Sequence, residues 1–241
     1  MTRTPPSEPL PLDFPPAASR LPERVVPMRP TDGEGPFDDP RYFFEPWWPG
    51  IRALVLVEDG AVRLRAEALT DPTSVFPELA RVAGLVRADG VVLDATLMVL
   101  DARGRPSRTL LERRLTGSGG GTATSGGGTA TSGGGTAALV AADLLYLDGA
   151  SLAGRPFGER RGELAALMAP SPWCLAGRGF VGDGTTVAEA LGAMGFRALS
   201  ARRLDAPLRT GASGDAWYRV PVVAAPRELP PLLAVFRRLP L

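Results

Sequence analysis

The side chains able to do chemistry in this sequence are few, and their kinds limit what they can do. All 27 positively charged residues are arginine and there is no histidine. No lysine nucleophile, imidazole base or histidine metal ligand therefore exists in the chain. The single cysteine, Cys174, excludes an internal disulfide and says little about compartment. Interest falls on the stretch FFEPWWPGIRALV, residues 43–55, which sets Glu45 and Arg52 on either side of Trp47 and Trp48. Arginine can hold a phosphate with paired hydrogen bonds, but it stays protonated and cannot attack as a nucleophile. Asp94, Asp101, Asp143 and Asp148 suggest a metal site at first sight. They fall near strand ends, where turn-forming carboxylates are common, and read as turn residues. The arginine-rich pieces ERRL, GERRGE and SARRL lie among acidic residues in a chain of net charge +1. They read as solvated helix faces rather than a nucleic-acid patch.

The elements that would position these residues follow from the apolar pattern. With 44% hydrophobic residues the chain can bury a real core. It contains no run of about 18 apolar residues that would read as a transmembrane helix. Its proline-rich start has no apolar stretch of the secretory kind, so a cytoplasmic protein is expected. Residues 1–24 read as a disordered leader and folded structure is expected from about Val25. IRALVLVEDGAVRLRAE predicts two strands around the turn Asp59-Gly60. FPELARVAGLVRA has the spacing of a helix. GVVLDATLMVL predicts a buried strand and RTLLERRL a short helix. Residues 117–137 repeat a seven-residue Gly/Thr/Ser unit almost three times and predict a passive, flexible tether. AALVAADLLYLDG is a second buried strand, FGERRGELAALMA a helix, and SPWCLAGRGF a strand. GTTVAEALGAMGF is a helix opened by a threonine cap, and RALSARRL and AWYRVPVV are the last strands. In the tail, residues 223–241, a short helix is expected from about Leu232 to Arg238. The fold class is α+β: antiparallel-rich sheets with helices packed outside.

Several motifs, in order, resemble the adenylation (nucleotidyltransferase) domain of ATP-dependent DNA ligases, especially the short bacterial end-joining kind. VVPMRPT, PFDDPRYFFEP and WWPGIRA stand where that family has P-M-L, P-F-D-D-P and E-P-K-W-D-G-Y-R-A. VVLDATLMVLDARGRPSRTLLERRL matches its V-V-L-D-G-E-L strand, turn and L-L-x-R-R-L helix. AADLLYLDG and SLAGRPFGERRGELAAL follow its F-D-L-L-Y-L-D-G and S-L-x-x-R-P-Y-x-E-R-R. RALSARR and SGDAWYRVP stand for the late motifs E-G-V-V-A-K-R and S-D-A-W-L-K-V-K. The likeness runs from about Val25 to Val222, interrupted by the repeat.

What the resemblance implies is carried position by position. Active members form a covalent lysyl-AMP from ATP with Mg²⁺, pass the AMP to a DNA 5′-phosphate and seal the nick. The nucleophilic lysine is Trp47 here, and an indole offers a donor N–H but no usable lone pair. The motif's aspartate is Pro49, while Glu45, Gly50 and Arg52 are retained. The glutamate of the D-G-E-L strand is Thr96, the adenine-stacking aromatic is Ala142, and the fourth motif's metal-binding glutamate is Arg197. The two late lysines are Arg202 and Arg219, and the early S-R-N-G loop is AEAL, with Glu67 for its arginine. No cofactor is therefore expected, and DNA binding is expected to be weak or absent. The tryptophans would fill space left by the nucleotide. Arg52, Arg202 and Arg219 would either hold an anionic ligand or be paired with Glu45, Asp94 or Asp143. The tail is too short for the OB-fold domain that follows in the family. The implied protein is a catalytically inactive ligase relative that binds or regulates, with DNA-repair proteins as candidate partners. The alternatives are a working ATP-dependent DNA ligase and a decaying gene product.

Overall fold

The run VVLDATLMVL is the axis on which the chain is built. In the computed structural model, which describes residues 20–67, 69–117, 134–169 and 171–240, it forms the central strand of one of two facing sheets. The chain opens with β1 (Met28–Arg29), β2 (Thr31–Asp32), β3 (Asp39–Pro46), β4 (Ile51–Glu58) and β5 (Ala61–Arg65). A short α1 (Pro72–Val75), a 3₁₀ segment (Pro77–Leu85), β6 (Val91–Leu100), α2 (Arg108–Leu115) and β7 (Thr136–Leu147) follow. Next come β8 (Ala150–Ser151), α3 (Phe157–Leu167), β9 (Cys174–Ala176), β10 (Phe180–Gly182) and α4 (Gly184–Ala193). The chain ends with β11 (Ala198–Arg203), β12 (Gly211–Ala212), β13 (Trp217–Pro221) and α5 (Leu232–Phe236).

One large sheet runs β5-β4-β6-β7-β8, with β9 parallel to β7; the other large sheet runs β10-β3-β11-β13-β2, and β1 pairs with β12 in a two-stranded sheet. Most pairs are antiparallel, as the α+β expectation requires. Side-chain alternation sorts the strands into faces. On β6, Val91, Leu93, Ala95, Leu97 and Val99 enter a core shared with Phe76, Leu79, Val82 and Leu164. The alternate residues Asp94 and Thr96 face the other way, toward the second sheet. On β4 the same split sends Ala53, Val55 and Val57 to that core and leaves Arg52 on the face of Asp94. The five-stranded sheet buries Tyr42, Phe44, Leu199, Ala201 and Val220 beneath α4 and α5. No helix among the described residues is long and apolar enough to cross a membrane.

Several local expectations needed correction. The segment after Phe76 is a 3₁₀ helix: its buried residues Phe76, Leu79 and Val82 recur every third position, the period of that tighter helix. The start of α4 has no threonine cap. The Asp38 carboxylate, from across the fold, accepts the Thr185 backbone N–H at 2.8 Å. Packed chain begins ahead of Val25, because Leu21 is buried with Leu54, Leu56, Val92 and Leu145, and the Arg20 backbone N–H donates to Glu58 at 2.6 Å. Residues 1–19 lie outside the described residues, as do 118–133 of the repeat. The rear of that repeat belongs to the fold. β7 starts at Thr136, and a Cβ on Gly135 would come within 2.6 Å of the Leu100 carbonyl oxygen. The Asp59-Gly60 hairpin forms as expected, with both residues at positive φ. The tail helix ends at Phe236, and its Phe236 ring stacks on Trp48 at 5.6 Å.

Candidate functional site: a narrow cleft between the sheets

Glu45, Trp47, Gly50, Arg52, Thr96, Ala142 and Arg202 line one cleft between the sheets, together with Ser200 and Trp217. Register explains the convergence. Ser200 pairs with Glu45 on one side and with Arg219 on the other, while Arg202 pairs with Trp217. Arg52 pairs with Thr96, next but one to Asp94. Trp47 follows directly on β3, its N–H donating to the Ala198 carbonyl at 3.2 Å. The structure thus brings seven of the nine sequence-derived positions together.

Arg197 and Arg219 are the two it does not bring into the cleft. Arg197 is exposed just before β11, and its carbonyl accepts the Val222 N–H at 2.9 Å. Arg219 lies on the far side of Trp47, with its guanidinium carbon 5.5 Å from the indole centroid, so the tryptophan stands between it and the cleft. Glu67 is at the surface, paired with Arg29 at 2.6 Å.

Ion pairs close the cleft from inside. Arg52 grips Asp94 with two hydrogen bonds of 2.8 and 2.5 Å. Asp143, fully buried, accepts two from Arg160 at 2.9 and 2.8 Å and one from Arg202 at 3.1 Å. Arg202 also stands 3.8 Å from the Glu45 carboxylate. Glu45 accepts the Ser200 hydroxyl at 3.3 Å, and that hydroxyl in turn accepts the Trp217 indole N–H at 2.9 Å. Burial raises the Glu45 carboxyl above its ordinary range, against the pull of Arg202 and Arg161 and the Ser200 hydrogen bond. Burial alone would lower Arg52, but Asp94 outweighs it by charge and hydrogen bonding and holds Arg52 above its usual value.

Rings complete the plug. The Arg202 guanidinium lies 3.9 Å and that of Arg52 5.0 Å from the Trp217 centroid, and Trp47 packs 6.0 Å from the same ring. The space left is about 80 Å³. Small-molecule pockets run from about 300 Å³ upward.

Two readings change. Asp94 and Asp143 are not turn residues but buried partners in the middle of β6 and β7. Asp101 and Asp148 do serve turns, through hydrogen bonds to the Arg103 and Arg105 N–H groups and a positive φ before Gly149. The solvated-face reading fails for Arg114, Arg160 and Arg202, all of which are buried. Arg160 was missed although its spacing carries a signal: Phe157, Arg160, Leu164 and Leu167 fall on one helical stripe, and all four are buried. Ser200 carried no such signal.

Over 198 residues the chain is 29% identical to the multifunctional non-homologous end joining protein LigD of Mycobacterium bovis, which covers 82% of this chain and 24% of that protein. It is 31% identical over 178 residues to a probable DNA ligase of Streptomyces avermitilis, covering 71% of this chain and 33% of that one. Its fold superposes on mycobacterial DNA ligase D complexed with ATP and MES at TM-score 0.61 and 28% identity, over 82% of this chain and 60% of that one. The chain is a relative of the ATP-dependent DNA ligases and has their adenylation-domain fold. No family model matches it. This ligase relative spans about a quarter of the length of the end-joining proteins it resembles.

Proposed function

We propose that this ligase relative does not transfer AMP, and that it acts as a binding or regulatory component linked to DNA repair. The observation that carries this reading is the occupant of the nucleophile's position. By the motif alignment that place belongs to Trp47, in a chain whose 27 basic residues are all arginine. Covalent adenylation needs an amine able to lose its proton, and arginine keeps its own near neutral pH.

The residues present do not fit ATP and Mg²⁺. The cleft of about 80 Å³ is crossed by the Arg52–Asp94 and Arg202–Asp143 pairs. Cys174 offers no substitute nucleophile: it is buried, and burial pushes its thiol up to about 12. A link to repair is supported by the end-joining and DNA repair names of the relatives.

The test is incubation of the purified chain, free of host ligase, with labelled ATP, Mg²⁺ and a nicked duplex. We expect no AMP attached to the protein and no joined strand. Sealing above a no-protein control would show a working DNA ligase and overturn the reading.

A further inference from the structure

Beside that narrow cleft, and sharing Trp47, Trp48 and Gly50 with it, runs a wider groove of about 660 Å³. Arg108, Arg197, Arg219 and Arg227 line it, against a single acidic residue, Glu112. That is a local surplus of three positive charges in a chain of net +1. Arg108 is engaged by Glu112 at 2.6 Å on an exposed helix face, and Arg219 stands 3.7 Å from the exposed Asp32. Exposed pairs of this kind contribute little and exchange readily. Arg197 and Arg227 are exposed and make no ion pair with any described residue.

Between the arginines the groove is apolar, with Ile51, Leu115 and Leu229 half-buried and Pro49 exposed. Past Arg197 and Arg227 it continues into a shallower trough of about 710 Å³ along Val222 and Ala224. Single-stranded nucleic acid is held by a basic track together with open aromatic faces for its bases. Here the one half-exposed aromatic, Trp47, has its ring flanked by the Arg219 guanidinium and the Trp217 ring. An apolar floor with unpaired cations on its rim is instead complementary to a chain that points apolar side chains down and carboxylates outward.

We propose that this groove docks an acidic, amphipathic peptide segment of a partner protein, with Arg197 and Arg227 receiving its carboxylates. The proposal deepens the binding role above and rests on it. Its probe is a fluorescein-labelled synthetic peptide of alternating Glu and Leu, titrated with the full chain and followed by anisotropy. A Lys/Leu peptide and a single-stranded oligonucleotide of equal charge are run beside it. Saturable binding of the acidic peptide is expected, weakened about tenfold or more by Arg197→Glu or Arg227→Glu. Arg87→Glu, an exposed change outside the groove, should leave it unchanged. All three sites are exposed, and a thermal melt of each variant confirms that it is folded. The proposal is overturned by no saturable peptide binding, by tighter binding of the oligonucleotide, or by indifference to Arg197 and Arg227. The labelled-ATP assay on the same preparation judges the inactive-ligase reading separately, so a failure of either is seen as its own.

Discussion

Glu45, Gly50 and Arg52 are the motif residues this chain keeps while it lacks the lysine between them, and two of them have a job that needs no nucleotide. A Cβ on Gly50 would come within 2.3 Å of the Leu97 carbonyl oxygen, so the turn after the tryptophans passes β6 too closely for any side chain. Arg52 neutralises Asp94, which is buried and would otherwise be an uncompensated charge. Glu45 is the exception, a carboxylate whose ionised form burial disfavours. Because its folded-state value lies above the unfolded 4.5, the folded protein binds the proton more tightly than the unfolded chain does. Stability should therefore fall as pH rises from about that unfolded value through the folded one, and the loss persists above it. Glu45→Gln, which mimics the protonated form, should melt at a higher temperature than the parent at pH 8. The difference should shrink toward nothing as the pH drops to about 4.5. Melting curves of both proteins across that range check this, and a parent more stable than Glu45→Gln at pH 8 would contradict it.

At the scale of elements, the strands were legible because their alternation is a strong signal, and the departures have specific causes. The Pro77–Leu85 segment took a three-residue period that a helical reading of Phe76, Leu79 and Val82 did not distinguish from 3.6. The cap of α4 comes from Asp38, 147 positions away in sequence, and no local pattern announces a contact of that kind. The buried Arg160 was hidden by composition, since it sits among Glu159, Arg161 and Glu163 as a residue of a solvated face would. The leader boundary was misjudged because prolines dominate the segment and one leucine carries the packing. Leu21 covers Leu54, Leu56, Val92 and Leu145 on the outer part of the six-stranded sheet. Leu21→Ala should cost about 2 kcal/mol, the low end for a buried leucine because the site is at the rim of the core. Urea denaturation measures it. A change under about 0.5 kcal/mol would mean that the chain ahead of β1 is not part of the folded unit.

At the scale of the whole molecule, the two sheets meet across a cleft in which charge and aromatic rings stand where the motif alignment puts a nucleotide. The six-stranded sheet supplies Arg52, Asp94 and Asp143; the five-stranded sheet supplies Glu45, Ser200, Arg202 and Trp217; α3 adds Arg160. A network shared between layers resists piecemeal repair, because each member is the partner of another. Trp47→Lys returns the missing amine to the family's position, in the cleft lined by Arg52 and Arg202. It would still face about 80 Å³ of space, Ala142 where an adenine would stack, and Arg197 at the metal-binding carboxylate's position in the motif alignment. The variant should therefore form no lysyl-AMP with labelled ATP and Mg²⁺. It should also lose the packing of Trp47 against Trp217 and Arg219, a cost of about 1–2 kcal/mol. In a domain of this size that lowers the melting temperature by roughly 2–8 °C. An adduct on Trp47→Lys alone would mean that the cleft opens to admit ATP and that one substitution separates this chain from an adenylating enzyme. A lower melting temperature without an adduct is the outcome so small a cleft predicts.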